Sequence, residues 1–216
     1  LFHVFAMTVV MNYSIRIGAE ILLTPRFDPK LLAPILTDKK PTILPAVPAA
    51  FAAIAKHPAT SSIDLSYTKF CVAGGAPIPR EVKELSEGKT GAKVIEAYGL
   101  TEASPVTNSN PPQGVVKVGS IGPTIAETDV KIVSLEDGRT PVDQGEAGEV
   151  CFRGPQVMLG YYQNEAETEK TIRDGWLHTG DIGYLDGDGY VFLLDRLKDM
   201  ILVSGYNVYP TQVEGQ

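Results

Sequence analysis

Between Thr42 and Ala97, short β-prone runs alternate with helix-length segments, and that rhythm leaves few folds open. Thr42-Ile43-Leu44, Phe70-Cys71-Val72-Ala73 and Lys93-Val94-Ile95-Glu96-Ala97 read as strands. Pro48 to about Lys56, and Pro79 to about Glu87, read as helices between them. Upstream, Ala19-Glu20-Ile21-Leu22-Leu23 reads as a further strand. Asp28-Pro29 then offers an N-cap and a first-turn proline to a helix with Leu31, Leu32, Ile35 and Leu36 on one face. Strands and helices in alternation build a largely parallel, doubly wound sheet, since each crossover helix covers a face of the strands it joins. Such sheets take their ligands at the carboxyl ends of the strands.

After about Gly114 the pattern changes. Short β runs (Asp129 to Val133, Glu149 to Arg153, Tyr190 to Leu194, Met200 to Val203) are separated by Glu136-Asp137-Gly138 and Asp186-Gly187-Asp188-Gly189, which are hairpin turn signals. The second does not carry the twelve-residue ligand pattern of a calcium loop. One short helix, near Ala166 to Ile172, interrupts the run of strands. The expected architecture is therefore α/β: part of a doubly wound, mostly parallel sheet over 1–113, then a smaller distorted β-barrel or sandwich over 114–195.

Composition excludes several classes. With 216 residues the chain can bury a core, and 44% hydrophobic with 21% charged residues argues against disorder. A net charge of −7 argues against a nucleic-acid surface. The longest small-apolar stretch, Ala46 to Ala55, holds Pro48 and is too short to span a bilayer. No signal peptide is visible. Cys71 and Cys151 sit in apolar strand-like runs without CxxC or Cys/His spacing, so they are expected as buried free thiols in a reducing cytoplasm. The three histidines lack zinc-ligand spacing.

Three places could carry chemistry. Tyr98-Gly99-Leu100-Thr101-Glu102 emerges at a strand end. The Tyr98 ring offers a face to a base, Gly99 lets a ligand approach the backbone, Thr101 can donate to a phosphate, and Glu102 can hold a hard cation such as Mg²⁺. A plain strand-to-loop turn with an exposed acid reads equally well. Gly74-Gly75-Ala76-Pro77 also ends a strand, where small residues let a flat ligand lie against the backbone, or simply make a tight turn. Asp181 could accept a ribose diol and Arg196 supply matching donors, although their spacing alone favours an ion pair within a sheet. Trp176 reads as a packing anchor. No GxxxxGK[ST] phosphate loop is present.

Taken in order, these stretches resemble the acyl-adenylate-forming enzymes: acyl-CoA synthetases, peptide-synthetase adenylation domains and beetle luciferases. The matching runs are Leu1 to Phe5, Gly74 to Pro77, Tyr98 to Glu102, Gly148-Glu149 through Arg153-Gly154 to Met158-Leu159-Gly160-Tyr161, Gly175 to Asp181, and Asp195 to Gly205. The run from Lys198 to Pro210 looks most like bacterial long-chain fatty-acid–CoA ligases. The resemblance implies activation of a fatty acid with Mg·ATP to an acyl-adenylate, then transfer to coenzyme A with release of AMP. By motif, Gly74, Gly75, Ala76 and Pro77 would border the adenine and Tyr98 would lie against its face. Gly99 belongs to the same corner. Thr101 would contact the α-phosphate and Glu102 the Mg²⁺. Asp181 and Arg196 would bind the ribose hydroxyls, which reverses the ion-pair preference. His3 would lie beside the acyl carboxylate, or stand merely at the edge of a core helix. The residue at Ala6 is often Gly in the family. Lys198 falls at the hinge between the adenylating and thioester-forming poses, Gly205 and Tyr206 belong to the loop lining the pantetheine channel, and Glu149 and Arg153 brace the β region. Residues 196–216 would then be the hinge and the start of a C-terminal domain.

Two parts implied by the resemblance are expected outside the chain: a Ser/Thr/Gly-rich pyrophosphate loop before Leu1, and a charge-neutralising lysine after Gln216. The chain thus reads as an internal piece of a longer protein, expected to be inactive by itself. The resemblance also allows peripheral membrane association of the parent protein. Alternatives are an acyl-AMP ligase or an adenylation domain loading a carrier protein, and a non-catalytic nucleotide-binding module.

Overall fold

The computed structural model describes residues 1–203 and 206–210; Gly205 lies outside them. It divides into two compact units, Leu1–Tyr98 with Pro112–Gly114, and Gly99–Pro111 with Val115–Gln216.

The first unit opens with a helical segment of wide π geometry, Ala6–Asn12, that continues into α1 (Tyr13–Ile17) and stops at Gly18 in the left-handed conformation. The expected strand at Ala19 to Leu23 does not form. Five apolar-rich residues do not select a strand by themselves; a neighbour must take their N–H and C=O groups. Helix α2 (Pro29–Pro34) begins where Asp28 accepts from Lys30 N at 2.9 Å, with Pro29 in the first turn, and passes into a second π-wide turn over Ile35–Lys39.

Strand β1 (Ile43–Ala46), helix α3 (Pro48–Lys56), strand β2 (Phe70–Ala73), helix α4 (Arg80–Thr90) and strand β3 (Val94–Gly99) follow in alternation. The strands are parallel in the order β1-β2-β3, with Ile43 opposite Phe70 and Cys71 opposite Val94. Pro48 starts α3 because its fixed φ suits the first turn, where its missing N–H is no loss. Phe51 and Ile54, three residues apart, then point to one side and pack with Leu44, Cys71, Val94, Leu36 and Leu65 as the unit's core. The Tyr67 hydroxyl donates to Leu36 O beneath it. Helix α4 runs three residues past Glu87 and closes on Gly91, whose φ of 67° only glycine adopts without strain.

The second unit holds β4 (Val106–Ser109), β5 (Ser120–Gly122), β6 (Asp129–Val133), β7 (Gly148–Arg153), α5 (Glu165–Thr171), β8 (Ile172–Arg173), β9 (Trp176–Leu185) and β10 (Val191–Arg196). Its antiparallel sheet has the order β5-β10-β9-β7-β6, with β8 added to β9. The central strand, β9, was not foreseen as one ten-residue element, because Gly180 and Gly183 break its apolar alternation. Register shifts in β7–β9, β9–β10 and β10–β5 distort the sheet. Phe152, Val150, Leu177, Ile182, Val133 and Val191 are buried in it. The turn after β9 is formed by Asp186, whose Oδ1 accepts from Asp188 N and Tyr190 N at 2.9 Å. Lys117 donates to both Asp186 and Asp188, so an ammonium fills the acidic turn. Ile201–Val203 (β11) and Tyr206–Val208 (β12) form a separate antiparallel pair.

Phe51, 2% exposed, is the largest fully buried side chain of the first unit. Phe51→Ala should cost about 3–5 kcal/mol, seen as lost amide-exchange protection along β2, whereas Leu23→Ala on the surface should leave it unchanged.

Candidate active site

In the first unit, the strand-end loop after β2 carries Gly74, Gly75, Ala76 and Pro77. Gly74 is buried and the other three are exposed. A Cβ on Gly74 would meet the Phe5 ring at 2.9 Å, so the helix that starts near His3 packs against this loop. His3 is exposed; its Nδ1 accepts from Phe5 N at 3.2 Å, which turns the ring toward its own helix start. Tyr98, half-buried, stands at the end of β3. These elements set a flat glycine loop, an imidazole and a phenol ring on connected pieces of one unit.

In the second unit, Gly99 passes so near the following loop that a Cβ would fall 1.8 Å from Pro105 O, while Leu100 N donates to that same oxygen at 2.9 Å. The chain then makes one 3₁₀ turn, Thr101–Ala103. Thr101 is exposed and Glu102 half-buried. Two contacts hold Glu102. Its carbonyl accepts from Met158 N at 2.7 Å, and its Oε1 accepts from the Tyr161 hydroxyl at 2.8 Å. Burial and then the Glu102 carboxylate push the Tyr161 phenol above its ordinary pKa, so it stays a donor. Tyr161 ends the stretch Met158-Leu159-Gly160-Tyr161; the sequence reading gave it no role of its own, and only its place in that ordered run hinted at one. A carboxylate held by a single hydroxyl, beside an exposed threonine, suits a hard cation that keeps waters and phosphate oxygens in its shell.

Asp181 and Arg196 are brought together. They face each other across β9 and β10, with Arg196 Nε 3.2 Å from Asp181 Oδ1. The carboxylate side chain is 7% exposed and the guanidinium 60%, so the acid is fixed and the base reaches solvent. Behind Asp181 lies a buried cluster. Glu149 Oε2 accepts from His178 Nδ1 at 2.8 Å and its Oε1 accepts from Gly180 N at 3.0 Å. Cys151 Sγ lies 3.4 Å from the same His178 nitrogen. Among the described residues these three form a cluster with ligand atoms within 4.8 Å of one another. Burial, and then the Glu149 charge, push the Cys151 thiol up to about 12. Both carboxylate oxygens of Glu149 are engaged within the sheet, so the cluster acts as a hydrogen-bonded brace between β7 and β9. Arg153 pairs with Asp129 at 2.8 Å and, with Lys131, flanks the Trp176 ring, each cation 4.6 Å from its centroid. Lys198 is exposed in the turn 197–199 after β10, and Asp199 N and Met200 N both donate to Arg196 O there.

Both cysteines are free, buried and raised in pKa, chiefly by burial. The folded protein should resist a thiol reagent at pH 8 and react fully once unfolded in urea. An unfolded thiol ionises near its ordinary value of 9 while folded Cys151 holds its proton to about 12. The Cys151 contribution to stability should therefore be constant below about pH 9 and be lost between 9 and 12, and Cys151→Ser should remove that part of the fall in a urea titration against pH.

Residues 1–162 match the family described as AMP-binding enzyme. A long-chain-fatty-acid–CoA ligase of Bacillus subtilis is 46% identical over 213 residues, which are 99% of this chain and 38% of that protein. ATP-bound MatB from Rhodopseudomonas palustris superposes with a TM-score of 0.90 at 29% identity, over 99% of this chain and 42% of that one. The O-succinylbenzoate coenzyme A synthetase of Bacillus subtilis in complex with AMP gives 0.86 at 30% identity, over 100% of this chain and 43% of its own. The chain thus spans about two fifths of the length of the relatives it matches. With residues 1–162 matching the family model and a relative 46% identical over 99% of its length, the chain belongs to the AMP-binding enzyme family.

Proposed function

We propose that the chain is part of an AMP-forming acid–thiol ligase, a fatty acyl-CoA synthetase. The observation that carries this reading is the 46% identity to a long-chain-fatty-acid–CoA ligase over 99% of the chain. In the proposed reaction a carboxylate oxygen attacks the α-phosphorus of ATP and pyrophosphate leaves. The thiol sulfur of coenzyme A then attacks the acyl carbon and AMP leaves.

The residues divide the work by chemistry. Gly74 to Pro77 give the adenine a flat backbone wall, and Tyr98 gives it a ring face. Asp181 accepts hydrogen bonds from the ribose diol while Arg196 donates to it. Their mutual contact orients both before nucleotide arrives, which lowers the cost of ordering them on binding. The exposed Thr101 hydroxyl donates to an α-phosphate oxygen as charge builds there. Glu102, oriented by Tyr161, would hold Mg²⁺. That ion, when bound, neutralises phosphate charge during attack. His3 orients the incoming carboxylate, and Lys198 serves as the hinge between the two half-reactions. A cytoplasmic setting fits the two buried free thiols.

ATP–pyrophosphate exchange by the full-length protein carrying this segment should depend on added fatty acid, and coenzyme A should drive AMP release. Exchange with none of a ladder of fatty acids would defeat the ligase reading. Glu102→Gln should lower exchange by about 10²-fold or more while leaving the melting temperature within a few degrees; unchanged turnover would remove Glu102 from the metal role.

A further inference from the structure

The pairing of β7 with β9 is interrupted where Asp181 sits. Glu149 is opposite Ile182 and Cys151 is opposite His178, so Val150 alone faces Thr179, Gly180 and Asp181. This excess of chain on β9 is a bulge, a device that re-aims a side chain out of a ladder. Gly180 lets the bulge turn with a φ of 69°. Five hydrogen bonds then hold it. Glu149 takes Gly180 N at 3.0 Å and His178 Nδ1 at 2.8 Å, so one carboxylate spans the residues on both sides of Thr179. The Thr179 hydroxyl donates to Val150 O at 2.7 Å and accepts from Asp181 N at 3.0 Å. From the other side Leu197 N donates to Gly180 O at 2.8 Å, so the bulge is fixed against β10 as well.

A carboxylate 5% exposed between two strands is a costly way to fill space, since an apolar side chain of similar volume would pack there without desolvating a charge. What the carboxylate supplies, and an apolar group does not, is two directed acceptors for the bulged backbone and its flanking histidine. We propose that Glu149 is a positioning residue for nucleotide binding: it fixes the β9 bulge through Gly180 and His178 and so sets where the Asp181 carboxylate meets Arg196 and the ribose. The proposal rests on the reading of Asp181 as the ribose acceptor.

The test compares AMP with 2′,3′-dideoxyadenosine 5′-monophosphate by titration calorimetry on the full-length protein carrying this segment. The unaltered protein should prefer AMP by about tenfold or more, as expected for hydrogen bonds to a charged acceptor. Glu149→Ala should weaken AMP binding, leave the dideoxy nucleotide unaffected, and cut the preference to about twofold or less. Glu149→Gln keeps an acceptor for Gly180 N and should restore most of the preference. If Glu149→Ala does not fold, Glu149→Met, which refills the space without offering an acceptor to Gly180 N or His178, makes the same test. A folded variant of either kind that keeps the full preference overturns the positioning role. A merely structural role would lower the melting temperature and weaken both nucleotides alike. Equal binding of the two nucleotides by the unaltered protein would instead overturn the ribose reading, and this proposal with it.

Discussion

A carboxylate taken out of water has to find hydrogen-bond donors, and Glu149 finds both of its donors on a single neighbouring strand. That requirement organises the second unit. Strand β9 pairs with β7, β8 and β10, and its ladders with β7 and β10 both shift register beside Ile182. The apolar side chains around it (Val150, Phe152, Leu177, Ile182) would pack a regular ladder as readily as a bulged one. The polar contacts decide between the two. Burial supplies the stability of this sheet, and one acid with its two partners supplies its geometry.

The two candidate acids are held in different ways. Asp181 is held through its own N–H, which donates to the Thr179 hydroxyl, and through its carboxylate, which meets Arg196. Glu102 sits on a single 3₁₀ turn and is steadied by one tyrosine hydroxyl and one backbone amide. The contrast matches the chemistry proposed for each. A sugar diol needs two groups at fixed separation, whereas a hydrated cation tolerates a ligand that can swing.

Much of the first unit could be read from its residues. Pro48 and Asp28-Pro29 mark helix starts through fixed φ and a capping acid, which are local effects, whereas the stop at Gly91 lies beyond the expected end near Glu87. Ala19 to Leu23 was misread because strand formation depends on a partner that no local pattern reveals. The ten residues of β9 were hidden for the opposite reason. Gly180 and Gly183 look like loop residues, yet Gly183 is required there because a Cβ would lie 2.4 Å from Phe192 O on the adjoining strand. The site was legible as ordered motifs, and those motifs named Asp181, Arg196 and Glu102. Tyr161 and the Glu149–His178 pair act across separations of 59 and 29 residues, and only folding brings such partners together.

The turn between β9 and β10 carries the acidic pair Asp186 and Asp188 that, in many loops, would wait for a divalent ion. Here Lys117 delivers its ammonium to both, and the Lys117 chain also lies over the Tyr190 ring. The cation is covalently part of the protein. The end of the hairpin is thus closed by a charge that the chain itself carries, brought from 69 and 71 residues away in sequence.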